Sequence, residues 1–268
     1  MLRSAPPTSV PSRRGLVALL LLVVLALAPA VASAADRQEP PPSDQSGQEA
    51  PGDAPGPEIH GPTPRAAWTA RIVDPVVARV RPHPRARAVR RLTPRAQWWG
   101  GPEVLLVLGS RVVDGERWLD VLVKGMPAGS HGWIPEYAAT VRRTDRRIVV
   151  DLSARTLVFQ RAGKTRLRSR VVIGARGTPT PTGQFAVDAA PSVPRRAKLG
   201  PRVLAVVAYS RTLTEYDGGL PQTAIHAAEY LGAPLGSAAS HGCVRMPQRL
   251  VNRLLALAPR GTPVLIQP

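Results

Sequence analysis

A mainly β chain is predicted, on three observations. Short apolar runs of four to six residues recur from residue 67 to the C-terminus. Turn-forming groups such as Pro82-His83-Pro84, Asp114-Gly115 and Ala162-Gly163 separate them. One stretch only, at about 247–258, spaces its apolar residues as a helix does. No internal repeat interrupts the series.

In order, residues 1–34 read as an export signal. Arg13 and Arg14 precede an unbroken apolar run from Leu16 to Ala28, and Ala32-Ser33-Ala34 supplies a small-x-small cleavage pattern. The alternative is an uncleaved anchor, because the run approaches the ~20 residues of a membrane span. No cysteine lies nearby to carry a lipid. Residues 35–66, rich in Pro, Gly and polar side chains, are expected to be a disordered linker.

Residues 67–143 form the first predicted domain. Trp68 to Val73, Val76 to Arg81, Val104 to Leu108 and Trp118 to Val123 read as strands. All five tryptophans (Trp68, Trp98, Trp99, Trp118 and Trp133) fall here. They are either the core of a small domain short of apolar bulk or the binding face of a wall-docking module. Residues 146–268 form the second. Strands are expected at Ile148 to Asp151, Thr156 to Phe159, Val171 to Ile173, Phe185 to Val187, Val203 to Tyr209 and Val264 to Ile266.

A formal net charge of +18 suits nucleic acid, a membrane surface or an anionic polymer. Nearly all of it is arginine, scattered along the chain, and no nucleic-acid motif accompanies it. A composition bias of the source explains it equally well. Nucleic acid is therefore not an expected partner.

Chemistry concentrates in Ile225-His226 and Ser240-His241-Gly242-Cys243-Val244-Arg245. Cys243 is the only cysteine, so neither a disulfide nor a cysteine-built zinc site is available, and no metal or cofactor is expected. A lone cysteine is either a buried small hydrophobe or a nucleophile. Gly242 beside it permits a tight turn, the segment before it is loop-like, and the apolar run starts only after it. With Pro247 opening a helix, the sulfur is expected near a helix N-terminus that favours the thiolate, hence rapid labelling below pH 7. His226 and His241 are both candidate bases. His241, two positions from Cys243 on a tight Gly turn, is expected to point elsewhere, which favours His226, with the Ala227 carbonyl fixing its tautomer. The Gly242 and Cys243 amides, aided by His241, are candidate oxyanion donors.

These residues resemble the signature of the L,D-transpeptidase (YkuD-type) catalytic domain. Thr178-Pro179-Thr180-Pro181-Thr182-Gly183-Gln184-Phe185 is similar to that family's Thr-Pro-rich segment, and Ile148 to Leu152 to its opening strand. Ala227 departs from the family's usual Gly or Ser, at a position where only a backbone carbonyl is wanted. The resemblance implies a β-sandwich catalytic domain with a short helix after the catalytic Cys. Ala78 to Pro82, Trp118 to Val121 and Gly132 to Ile134 similarly resemble strands of a bacterial SH3-like barrel.

The resemblance further implies a peptidoglycan L,D-transpeptidase. Cys243 attacks a tetrapeptide stem, D-Ala leaves, and an amine of a second stem resolves the thioester in a 3→3 cross-link. Stem peptides are thus the expected partners, with wall glycan or an anionic wall polymer possible through the SH3-like part. Arg245 is expected to meet a substrate carboxylate or to pair structurally. Ser240 either orients His241 or is a turn residue. Thr180 and Tyr209 are candidate cleft residues, and Asp217 a loop residue on its lid side. Two alternatives stay open, an L,D-carboxypeptidase in which water resolves the thioester and a non-catalytic wall-binding protein.

Overall fold

The computed structural model describes residues 58–194 and 197–268. The export signal expected over 1–34 and the first part of the linker expected over 35–66 lie outside the described residues. The last part of that linker is not loose. Ile59 is buried, its N–H donating to Ser110 Oγ (2.7 Å) and its carbonyl accepting from the Ser110 amide (2.9 Å). One apolar side chain in a polar stretch suffices to anchor it, and Thr63 then closes a turn onto Ala66.

Residues 67–144 fold into one antiparallel sheet of β1 (Ala67–Ile72), β2 (Val76–Arg79), β3 (Ala88–Leu92), β4 (Val104–Val113), β5 (Glu116–Leu122), β6 (His131–Pro135) and β7 (Ala139–Thr144). The spatial order is β3-β2-β6-β5-β4-β1-β7. Asp114 and Gly115, both with positive φ (51° and 77°), make the tight β4–β5 turn that Asp-Gly predicts. Ala70, Ile72, Leu105, Val107, Leu119, Val121 and Ile134 form the core of this half. Trp118 is buried, whereas Trp98 and Trp99 are 41% and 42% exposed, so this pair is not core.

The second half is a mixed eight-stranded sheet. Its members are β8 (Arg146–Asp151), β9 (Thr156–Arg161), β10 (Lys164–Arg170), β12 (Gly183–Ala189), β13 (Leu204–Tyr209), β14 (Gln222–Ala227), β16 (Val244–Met246) and β17 (Pro263–Gln267). They lie in the order β10-β9-β8-β17-β12-β13-β14-β16. Two very short strands, β11 (Ile173–Gly174) and β15 (Ala238–Ser240), pair in parallel beside it. The one α-helix among the described residues, α1 (Gln248–Leu257), lays Val251 and Leu254 on the sheet core. Pro247 stands one position earlier than expected, at the N-cap.

The two sheets meet across Leu106 and Leu122 of one half and Ala186, Val207 and Tyr209 of the other. A buried charge cluster crosses the same junction. Lys124 Nζ lies 2.8 Å from Glu103 Oε1 and also pairs with Asp188, whose side chain is fully buried. Burial raises the Glu103 carboxyl above its usual range, and Lys124 only partly offsets this.

Candidate active site

Strands β14 and β16 pair in parallel, with Ile225 opposite Val244 and His226 opposite Arg245. Side chains alternate between faces of a strand. Ile225, Val244 and Met246 accordingly enter the core. Ala224, His226, Cys243 and Arg245 instead line a single cavity of about 260 Å³. The register makes His226 and Cys243 diagonal neighbours on that wall, separated by one step of the ladder.

His226 is held in one tautomer. Its Nδ1 lies 2.9 Å from the Ala227 carbonyl oxygen, which can only accept, so Nδ1 carries the proton and Nε2 the lone pair. The ring is 1% exposed, and burial pulls its pKa down to about 4. The Ala227 bond opposes that fall, while the nearby Arg245 charge adds to it. At neutral pH the imidazole is a neutral acceptor.

Cys243 departs from expectation. Burial pushes its thiol up, against a backbone hydrogen bond from Ala224 and the charge of Arg245, which act the other way. The helix does not lower it. Strand β16 and Pro247 stand between the sulfur and α1, and the first helical amide, of Gln248, donates to Glu229 Oε1 at 2.7 Å. A carboxylate already occupies the positive end of the helix.

The turn carrying Cys243 is built by Ser240 and Gly242. Ser240 Oγ donates to the Cys243 carbonyl (2.6 Å) and accepts the Gly242 amide (3.1 Å). Ser240 is thus a turn residue, and it takes up the Gly242 N–H that was a candidate oxyanion donor. Gly242 has φ +108°, a conformation that side chains disfavour. His241 is exposed at the cavity rim, its ring 5.5 Å from that of Tyr216. Arg245 is 8% exposed, and among the described residues no carboxylate pairs with it. Its Nε has no hydrogen-bond partner there either.

Two candidates lie elsewhere. Thr180 is buried and accepts the Gly174 amide at 2.8 Å, so the Thr-Pro segment braces the Cys243 turn from behind. Thr178 shares that task through the Ser240 carbonyl (3.1 Å). Tyr209 points into the junction between the sheets, where burial raises its phenol. Asp217 does reach the cavity.

Sequence reasoning missed Trp99, which comes from the first sheet to line the cavity. Its Nε1–H donates to Gln222 Oε1 (3.1 Å), and Gln222 Nε2 donates to Asp188 Oδ2 (2.9 Å) and the Val206 carbonyl (3.0 Å). Arg260 pins the same loop, donating to the Gly100 and Asp188 carbonyls at 2.8 Å each. The signal available was the doublet itself, since adjacent indoles cannot both face one core from a strand. Among the described residues no three His, Cys, Asp or Glu side chains converge as a metal would require.

A neutral imidazole, a thiol and an uncompensated guanidinium on one wall define a site suited to thiol-based acyl transfer. Residues 145–266 match the model of the YkuD family, described as the L,D-transpeptidase catalytic domain. The chain is similar to the catalytic domain of an E. faecium L,D-transpeptidase, with 25% identity over 46% of this chain and 97% of that one (TM-score 0.34). It is also similar to L,D-transpeptidases from Mycobacterium smegmatis (15%, covering 62% and 90%, TM-score 0.36) and Mycobacterium tuberculosis (18%, covering 64% and 75%, TM-score 0.38). No curated protein matches it.

Proposed function

We propose that this chain is a cysteine-dependent L,D-transpeptidase acting on peptidoglycan stem peptides. The observation that carries the reading is the placing of Cys243, His226 and Arg245 on one cavity wall with Nδ1 of His226 anchored. Cys243 Sγ attacks the carbonyl between the diamino acid and the terminal D-Ala of a tetrapeptide stem as His226 Nε2 takes the thiol proton. The C–N bond breaks, Nε2 returns the proton to the leaving nitrogen, and D-Ala departs, leaving a thioester. A neutral side-chain amine of a second stem then attacks that thioester. Nε2 takes the amine proton and passes it to the departing sulfur, and a 3→3 link results. Arg245 meets a substrate carboxylate, and the Cys243 amide serves the oxyanion.

The rise in the thiol pKa favours a general-base step over a standing ion pair. We read residues 67–143 as an SH3-like module that presents wall material to this site, and residues 1–34 as directing the chain to the outer side of the membrane. Incubating the full chain with tetrapeptide muropeptides and weighing the products tests the assignment. A cross-linked dimer is expected. Tripeptide alone would mean that water resolves the thioester, and unchanged tetrapeptide would remove the enzymatic reading.

A further inference from the structure

The turn at 97–99 separates two cavities. Trp99 lines the one that holds Cys243, and Trp98 lines the other, of about 320 Å³, with Arg90, Arg91 and Arg95. Lys124 and Glu103 also reach this second cavity, but they are paired with each other. Three guanidinium groups are left without a carboxylate among the described residues.

Arg90 is the most constrained of the three. Half-buried, it sits over the Trp98 ring at 5.7 Å, and its Nε is shielded from solvent without an acceptor. A shielded guanidinium lacking an acceptor is unfavourable on its own and calls for an oxyanion. Arginine's planar fork suits carboxylate and phosphate alike.

We infer that this cavity binds a free carboxylate of a second wall peptide, with Arg90 and Arg95 as its ligands and Trp98 as the platform for the adjoining chain. The inference rests on the transpeptidase reading, which requires a second peptide close to the first. The volume suits the end of a peptide, and one turn of backbone separates it from the Cys243 cavity.

The Trp98 indole N–H resonance of the full chain, assigned by its loss in Trp98→Phe, reads occupancy directly. Three probes are titrated, namely a tripeptide muropeptide with free carboxylates, its fully amidated form, and inorganic phosphate. The free peptide should move the signal saturably, and amidation should weaken binding about tenfold or more. Arg95→Gln, at an exposed position, should weaken it by about tenfold while Cys243 alkylation by iodoacetamide stays unchanged. In muropeptide assays the same variant should release the first equivalent of D-Ala at the wild-type rate yet form less dimer. A still signal, equal affinity for the amidated peptide, or response to phosphate alone would overturn the inference. If the wild type forms no product but Trp98 still titrates with free peptide, the transpeptidase reading fails and the site stands.

Discussion

Two buried polar clusters lie close together, and they treat charge in opposite ways. At the junction, Lys124 is matched by Glu103 and Asp188, and Gln222 takes up the remaining Asp188 oxygen. In the Cys243 cavity, Arg245 and His226 are buried, and among the described residues no carboxylate pairs with either. The first cluster is closed and serves docking. The second is left open on one side, which is how a fold reserves interaction energy for a ligand. Gln222 joins them, being both an Asp188 partner and the first residue of the strand that carries His226.

The largest effect expected is chemical. Cys243→Ala should lower product formation by about 10³-fold or more without altering circular dichroism, since no other thiol exists to replace it. Product at the wild-type rate would dissolve the contrast, leaving two structural clusters.

On the closed side, Asp188→Ala should destabilise the protein by about 3 kcal/mol in urea unfolding, because it strips a buried ammonium of a partner. Removing the charges together, with apolar residues of similar volume at 103, 124 and 188, should recover most of that loss.

A comparable loss on the open side should appear with acid. His226 titrates near 4 when folded against 6.5 when unfolded, so as pH falls the unfolded chain takes up the proton first. Its stabilising contribution is complete above 6.5 and disappears as pH falls to about 4, worth about 3 kcal/mol. Unfolding of His226→Gln over the same interval should lack that part of the slope. The thiol adds a kinetic counterpart. Iodoacetamide labelling of Cys243 should be slow at pH 6 and climb about tenfold per pH unit past the ordinary thiol range near 8.5.

The smallest effect concerns the link between the clusters. Trp99→Phe keeps the ring against the cavity and gives up one hydrogen bond to Gln222, about 1 kcal/mol. A modest rise in KM with an unchanged rate of labelling is expected. Equal losses in both would make Trp99 a docking residue only.

Much of this was legible along the chain because it is local. Asp114-Gly115 and Ala162-Gly163 mark turns through their backbone demands alone, and both have the positive φ such turns need. The helix after Pro247 follows from spacing, and Gly242 marks the tight turn that carries Cys243. What stayed hidden depends on partners distant in sequence. Strand β10 reads Lys-Thr-Arg-Leu-Arg-Ser-Arg, and only Leu167 and Ser169 are buried, so it has almost no apolar signature. Thr180 looks like a cleft residue until Gly174 is seen beneath it. Likewise, the helix N-terminus promised a lowered thiol pKa, and burial among elements distant in sequence raises it instead.

The raised thiol has a consequence for survival as well as for reactivity. Oxidants such as peroxide attack the anion, and a sulfur that stays protonated at rest gives them little to attack. A solitary cysteine has no second thiol in the chain to trap its sulfenic acid before over-oxidation. On the transpeptidase proposal, a thiol kept protonated until an incoming stem arrives and the imidazole draws off its hydrogen would spare that one unprotected atom between turnovers.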